Sequence, residues 1–472
     1  MGHIFINVNS DGPPTGWNRS QNAQKFLVLD LASQHNTSSI PPYSTVAATS
    51  FPPIHNEFSI STPAPVYPSY PLPDISDLPA MVELFLDLYY RRFGPDKSTT
   101  DLLQPGTEYG GWRSLLPQWI GQSPILDTAI GALTSCFIGA QYRDSKMMDQ
   151  AQSMYLNVIQ MVQKVLPEAD SSRYDVIATT LVMGSIELFM SNGKNESQLT
   201  HVDGATRLLH CLLENRALQP ELEELHIYVL IQGLFKALST RQPYEFALPE
   251  YASLMQQLFS VPRMHGSDLY FQWCFVVLPL PNILHSVDSL SASSAPPPPE
   301  VVRALLDDIA ALESNIIKWH DKLLAVYPGP WTLPTAQSSP SRVPFPLHFL
   351  SIEVCALFSY YWVSQLLLLQ ARHSIYASSN PHGREPSPHR SSAELSLPAQ
   401  IAEYASLICR SVQFCTQGTS FAATENMLWP LCLVYRFYKW QGDHERMSWC
   451  VKAVERMGEE QRISFMSGIM SM

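Results

Sequence analysis

Between Trp112 and Leu213, apolar residues recur three and four positions apart, the spacing that lays them on one face of a helix. Leu126, Ala129, Ile130, Leu133, Phe137 and Ala140 form one stripe. It follows Ser123-Pro124, where a serine oxygen can accept an orphan backbone N–H and proline fits the first helical position. Ala151, Met154, Tyr155, Val158, Ile159, Val162 and Leu166 form a second stripe, stopped by Pro167. Tyr174, Ile177, Ala178, Leu181, Val182, Leu188 and Phe189 make a third, and Leu199, Val202, Ala205, Leu208, Leu209 and Leu212 a fourth. Asn192-Gly193 and the polar residues up to Gln198 separate these last two. The pattern predicts two helical hairpins, each needing a neighbour to cover its apolar face.

The periodicity extends in both directions. Upstream, Leu78, Met81, Val82, Phe85, Leu86 and Tyr89 predict a helix capped by Asp77 and ended by Phe93-Gly94-Pro95, and Leu115, Leu116, Pro117 and Trp119 form an apolar plug. Downstream, helices are expected over residues 222–239, with Glu221, Glu223 and Glu224 at the positive end of the helix dipole, and over 255–259 and 269–278 before Pro279 and Pro281. Further helices are expected over 301–326, 347–369, 401–414, 428–440 and 448–457. No strand alternation emerges, so the fold class is all-α, a multi-helix array of antiparallel hairpins.

Composition adds the segmentation. The 472 residues include 38 prolines, and charged residues are 15%, below the usual quarter of a globular protein. Residues 1–75 are rich in Pro, Ser, Thr and Asn and are read as a flexible segment, from which Ile4 to Val8 or Lys25 to Leu31 could dock as a short ordered piece. Residues 76–472 are read as one helical domain with loop insertions near 286–300, 327–345 and 374–398.

The net charge of −12 and the absence of any basic run argue against direct DNA binding, which rests on clustered Lys and Arg. The opening MGHIFINVNS lacks the charged and apolar regions of a secretory signal, and Ile6 stands where myristoylation needs Ser or Thr. Val354 to Leu369 is interrupted by Ser359, Ser364 and Gln365 and falls short of the roughly 20 residues that span a bilayer. It reads as a core helix, and the expectation is a soluble intracellular chain. The eight cysteines, Cys136, Cys211, Cys274, Cys355, Cys409, Cys415, Cys432 and Cys450, mostly sit in apolar helical pattern and read as small buried hydrophobes in a reducing compartment.

Candidate chemistry is sparse. His201, Asp203 and His210 are close in sequence, but His201 and Asp203 lie about 200° apart on a helix and do not converge on one ligand. They are read as capping a helix start, with Gly204 permitting close helix approach. His320 reads as a packed or solvated side chain, and His382 and His389 have no thiolate partner and only Glu385 nearby. There is no G-x-S-x-G elbow, Gly-rich phosphate loop or H-E-x-x-H. No catalytic, cofactor-binding or metal-ligating residue is assigned, and no cofactor. Trp273, Phe275, Tyr360, Tyr361 and Trp362 could line a small-molecule effector cavity between helices, against the commoner reading of such rings as core.

At Trp112-(x)2-Leu115-Leu116-Pro117, the helix Ile125 to Gln141, the Ala151-(x)3-Tyr155 helix and His201-Val-Asp-Gly204-Ala-(x)2-Leu208-Leu209, the chain resembles the fungal-specific transcription factor domain. Trp429-Pro430-Leu431 followed by a helix, and then Trp449 to Met457, resembles the family's closing pattern. The resemblance runs from Ala80 onward and implies a helical regulatory domain of the kind that normally follows a zinc binuclear cluster. That cluster needs six closely spaced thiolates, and no C-x-x-C pair occurs in these residues. Three explanations are open: a member that never had the cluster, a gene model truncated at its start, or a protein co-opted to another task. The opening MGHIFINVNS resembles finger-less members and favours the first. The resemblance implies a nuclear, non-enzymatic transcriptional regulator or co-regulator of a metabolic or biosynthetic gene set. It would act through protein partners such as the transcription machinery or a DNA-binding factor, with a small-molecule effector and a homodimer both compatible and cytoplasm the alternative location. The alternative is an α-helical enzyme or ligand-binding protein of specialised metabolism that kept the fold.

Overall fold

A computed structural model of the chain describes residues 72–90, 111–166, 174–190, 196–214, 223–260, 268–293, 297–332, 346–379, 392–416 and 420–461. The pieces expected at Ile4 to Val8 and Lys25 to Leu31, Asn192-Gly193, and His382, Glu385 and His389 lie outside the described residues. Of the segment 1–75, Leu72 and Ile75 pack partly buried against the core.

The described residues are overwhelmingly helical. The N-terminal half comprises α1 (Leu78–Tyr90), a 3-10 turn (Trp112–Leu115), α2 (Leu116–Trp119), α3 (Pro124–Tyr142), α4 (Ser145–Val165), α5 (Tyr174–Met190), α6 (Glu196–Glu214) and α7 (Glu223–Thr240). The C-terminal half comprises α8 (Ala252–Ser260), α9 (Asp268–Val277), α10 (Leu280–Ala292), α11 (Pro299–Val326), α12 (Ile352–Ser379), α13 (Ser392–Thr416), α14 (Phe421–Gln441) and α15 (His444–Gln461). Sequential neighbours pair, as α3 with α4, α5 with α6, α12 with α13 and α14 with α15, which is the expected array of hairpins.

Among the described residues α3, α5 and α12 are buried around their whole circumference, and α3 and α12 form the centres of the array. α3 is buried from Ala129 through Gly139 and is covered by α1, α4 and α5. α12 is buried from Val354 through Leu369 and is covered by α9, α10, α11, α13 and α14. α14 also packs on α1, so the two halves share one apolar core. Residues 269–292 and 352–378 are long and apolar enough to cross a membrane, yet 94% of the second window is buried inside the protein.

Several local expectations are corrected. Ser123 precedes α3 with extended backbone but makes no capping hydrogen bond, and Asp127 instead accepts the Gly121 N–H at 2.8 Å. α4 begins earlier than its apolar stripe because Asp144 caps it, accepting from Lys146 N at 2.9 Å and Met147 N at 3.1 Å. The Asp77 cap of α1 forms, at 3.2 Å to Ala80 N. α9 stops at Val277, ahead of Pro279, but α10 follows from Leu280 with Pro281 in its first turn, and it covers residues 286–292 of the stretch read as a loop at 286–300. Helix also covers both margins of the loop read at 374–398, since α12 runs to Ser379 and α13 starts at Ser392 and contains Pro398. α14 begins before Trp429-Pro430 and passes through the proline. Residues 347–348 belong not to a helix but to a two-residue antiparallel pairing, Trp331 with His348 and Thr332 with Leu347.

Candidate functional site

The chain places an unusual pair of charges in its apolar interior. Arg113, in the 3-10 turn, and Glu425, one turn into α14, meet with Nη2 to Oε1 at 3.0 Å, and their side chains are 8% and 29% exposed. A second donation from Arg113 Nη2 reaches Ser185 Oγ at 3.0 Å. The guanidinium lies 4.7 Å from the Tyr89 ring centroid and 4.8 Å from that of Trp112, within cation–π range of both. Tyr89 OH donates to the other Glu425 oxygen. Burial works against the charge on Arg113, but Glu425 and the neighbouring tyrosines outweigh it and hold the guanidinium protonated. Desolvation in turn drives the Tyr89 hydroxyl far above its ordinary value, so it remains a donor.

This pair lies at the edge of a cavity of about 320 Å³ bounded by α1, the 3-10 turn, α6, α7, α9, α12 and α14. The walls are mostly aromatic and aliphatic. Phe235 of α7 and Trp429 of α14 meet edge to face at 4.6 Å, and Tyr360 of α12 stacks on Trp273 behind it at 4.8 Å. Several polar groups of the wall are already paired. Tyr360 OH donates to Asn426 Oδ1 at 3.0 Å, Trp429 Nε1 donates to Ser239 Oγ at 2.8 Å, Arg436 donates to the Ser239 carbonyl, and Lys236 pairs with Asp203. Burial pushes the Cys432 thiol up to about 12, which keeps it protonated and a poor nucleophile. The chemistry on offer is therefore binding: an apolar, ring-lined volume with a few oriented polar groups at its edge.

Of the five aromatics singled out in the sequence, only Tyr360 lines this cavity. Trp273 supports Tyr360 from the core, Tyr361 stacks on His320 at 3.8 Å, Trp362 packs against Phe349 and Phe358, and Phe275 lies 38% exposed on another face. Tyr89, Arg113, Phe235, Glu425 and Trp429 were missed. The available signals were an arginine inside the apolar cluster Trp112 to Trp119 and an acid inside the apolar stretch Phe421 to Leu433.

The histidine cluster dissolves. His201 is not at a helix start but in the interior of α6, 8% exposed, with Nε2 2.9 Å from Tyr155 OH and 3.9 Å from Glu187 Oε1. Tyr155 OH donates to Glu187, so the Nε2 of His201 carries the proton that completes the chain of hydrogen bonds. Burial lowers the His201 pKa, partly opposed by Glu187. Asp203 points to Lys236 on α7, and His210 to Tyr251 OH at 2.6 Å, so the three do not converge. A Cβ at Gly204 would meet Thr180 Cγ2 at 3.5 Å, an ordinary contact, so glycine is not demanded there. Among the described residues no group of three or more His, Cys, Asp or Glu converges as a metal site.

A family model described as the fungal specific transcription factor domain matches residues 89–434. That span runs from Tyr89 through Glu425 and Trp429, and so contains the whole charged cluster and most of the cavity wall. No curated protein and no solved structure matches the chain.

Proposed function

We propose, from the premise that this chain belongs to the fungal-specific transcription factor domain family, that it is a nuclear transcriptional regulator or co-regulator whose helical domain couples a small-molecule effector to association with protein partners. Membership carries a transcription-related regulatory role; the effector, the partners and the gene set are the finer reading. The observation that supports it is the 320 Å³ aromatic cavity, walled by helices from both halves of the domain, with several of its polar groups paired with one another. A ligand there contacts α1, α7, α12 and α14 at once, and so favours one arrangement of those helices over another. The net charge of −12 and the lack of a basic run support assigning DNA contact to a partner rather than to these residues.

Deleting the gene and following transcripts and metabolites together tests this reading. A regulator changes the transcripts of a coherent gene set, and Val202→Trp or Leu433→Trp, each placing an indole into the cavity, reproduces or locks that change. An enzyme of specialised metabolism changes a product while transcripts stay as they were, and that outcome would replace the regulator reading. Tight binding of promoter DNA by the purified chain at physiological salt would remove the partner-dependent part.

A further inference from the structure

A second concavity, of about 770 Å³, lies on the outer face where the segment 246–259, α9 and α11 meet. Its floor is apolar: Phe246, Met255, Phe259 and Leu278 are buried beneath it, while Leu248 and Phe275 stand 41% and 38% exposed at its sides. Its long edge is formed by α11, where Asn315, Lys318 and Lys322 lie on one side of the helix above the buried Trp319. Trp319 is held there by its own Nε1 donating to the Leu269 carbonyl at 2.8 Å.

The charge of this edge runs against that of the chain. Net charge is −12, yet the ionisable residues lining the groove are Lys318 and Lys322, with no carboxylate among the lining residues. Both lysines are exposed, and neither belongs to an ion pair among the described residues. They are four residues apart on α11, so their Cα atoms are separated by about 6 Å along the axis, one helical turn. An occupant that matches this edge has two carboxylates one turn apart and bulky apolar side chains on the adjacent face, for the floor between Leu248 and Phe275.

We propose that this groove is a docking surface for an acid-bearing amphipathic helix of a partner protein. The proposal rests on the reading of the chain as a partner-binding regulator and supplies the surface and the partner's chemistry. The chain's own N-terminal segment fits poorly. Residues 1–71 contain three carboxylates, Asp11, Asp30 and Glu57, far apart in sequence, so no pair of them lies one turn apart.

The test uses the full chain and a fluorescein-labelled synthetic helix of about four turns, with Leu or Phe at i, i+3 and i+7 and two Glu one turn apart beside them. Fluorescence anisotropy gives binding that weakens with added salt. It falls at least tenfold for Lys318→Glu/Lys322→Glu and for the peptide with Glu replaced by Gln, and returns when a peptide with Lys in place of Glu meets the charge-reversed protein. Because both lysines are exposed, the variant keeps the wild-type melting temperature; Phe275→Asp, on the opposite side, gives an independent loss. The proposal is overturned if the acidic peptide does not bind, if the Gln peptide binds equally, or if the double variant is unaffected. It is also overturned if oleate occupies the groove while the peptide does not, or if the lysines instead control self-association in analytical ultracentrifugation. Transcript changes on gene deletion, together with a peptide that fails to bind, would remove this surface and leave the regulator reading standing; unchanged transcripts with a peptide that binds would do the reverse.

Discussion

Removing Glu425 exposes how the cavity edge is held. In Glu425→Ala, the Arg113 guanidinium keeps Ser185 Oγ and two aromatic faces but loses its counter-charge, and its side chain is only 8% exposed. Stranding one member of a buried ion pair costs about 3–5 kcal/mol. Glu425 itself is 29% exposed, so part of the pair's field is already screened, and the lower end, about 3 kcal/mol, is the expected loss. The Tyr89 hydroxyl loses its acceptor in the same variant, a penalty within this figure rather than added to it.

A double-mutant cycle separates that pair from general cavity damage. Arg113→Met with Glu425→Leu removes both charges and leaves no unpaired charge, although the Tyr89 hydroxyl and Ser185 Oγ each lose a partner, so the double variant is more stable than the two single losses would sum to, by at least about 1 kcal/mol. Urea unfolding followed by tryptophan fluorescence reads the midpoints, with Trp112 beside the guanidinium as a local reporter. Glu425→Ala lying within about 0.5 kcal/mol of wild type, or a strictly additive cycle, would refute the reasoning, because the pair would then behave as an exposed one.

Three further outcomes follow from single positions. His226 is fully buried and neither ring nitrogen has a partner, and burial lowers its pKa from 6.5 to about 4. Between those values the unfolded chain binds a proton that the folded one refuses, so stability falls as pH drops through that window, by up to about 3 kcal/mol. His226→Leu flattens the acid side of the urea-midpoint profile and raises stability at neutral pH by about 1 kcal/mol; a profile as steep as wild type would count against this. Phe137 touches the rings of Phe85, Tyr89, Phe189 and Phe421, joining α1, α3, α5 and α14, and Phe137→Ala lowers stability by about 3–5 kcal/mol in the same assay. Gly442 ends α14 with φ of +72°, and Gly442→Ala costs about 1 kcal/mol by thermal unfolding although its Cβ would meet nothing.

The amphipathic helices were legible because one-sided burial imposes period, as in the stripe of α11 through Leu305, Ile309, Leu312, Ile316, Trp319 and Leu323. By contrast α12, buried on all sides, was legible only as an apolar run, and its bounds shifted from 347–369 to Ile352–Ser379. Proline misled where position within the helix decided the outcome. Pro281 lies in the first turn of α10, where its missing N–H is harmless, while Pro430 is carried inside α14 by packing that surrounds Leu428, Leu431 and Val434. Periodicity alone does not distinguish these cases.

The site was less legible because it is made by long-range contact. Arg113 and Glu425 are 312 positions apart, and each looks locally like a lone charge on an apolar element. Composition and spacing register what an element needs buried, not which distant side chain will satisfy it. A guanidinium held between Tyr89 and Trp112 is satisfied only when the 3-10 turn, α1 and α14 are all in place. The pair therefore makes the arrangement of those elements at the cavity edge conditional on their mutual fit, amid neighbours that are mostly apolar and less directional. A ligand that shifted α14 would change the energy of this charged contact more sharply than that of the aliphatic contacts around it. On the proposed effector reading, that asymmetry is the cavity's route to the rest of the domain.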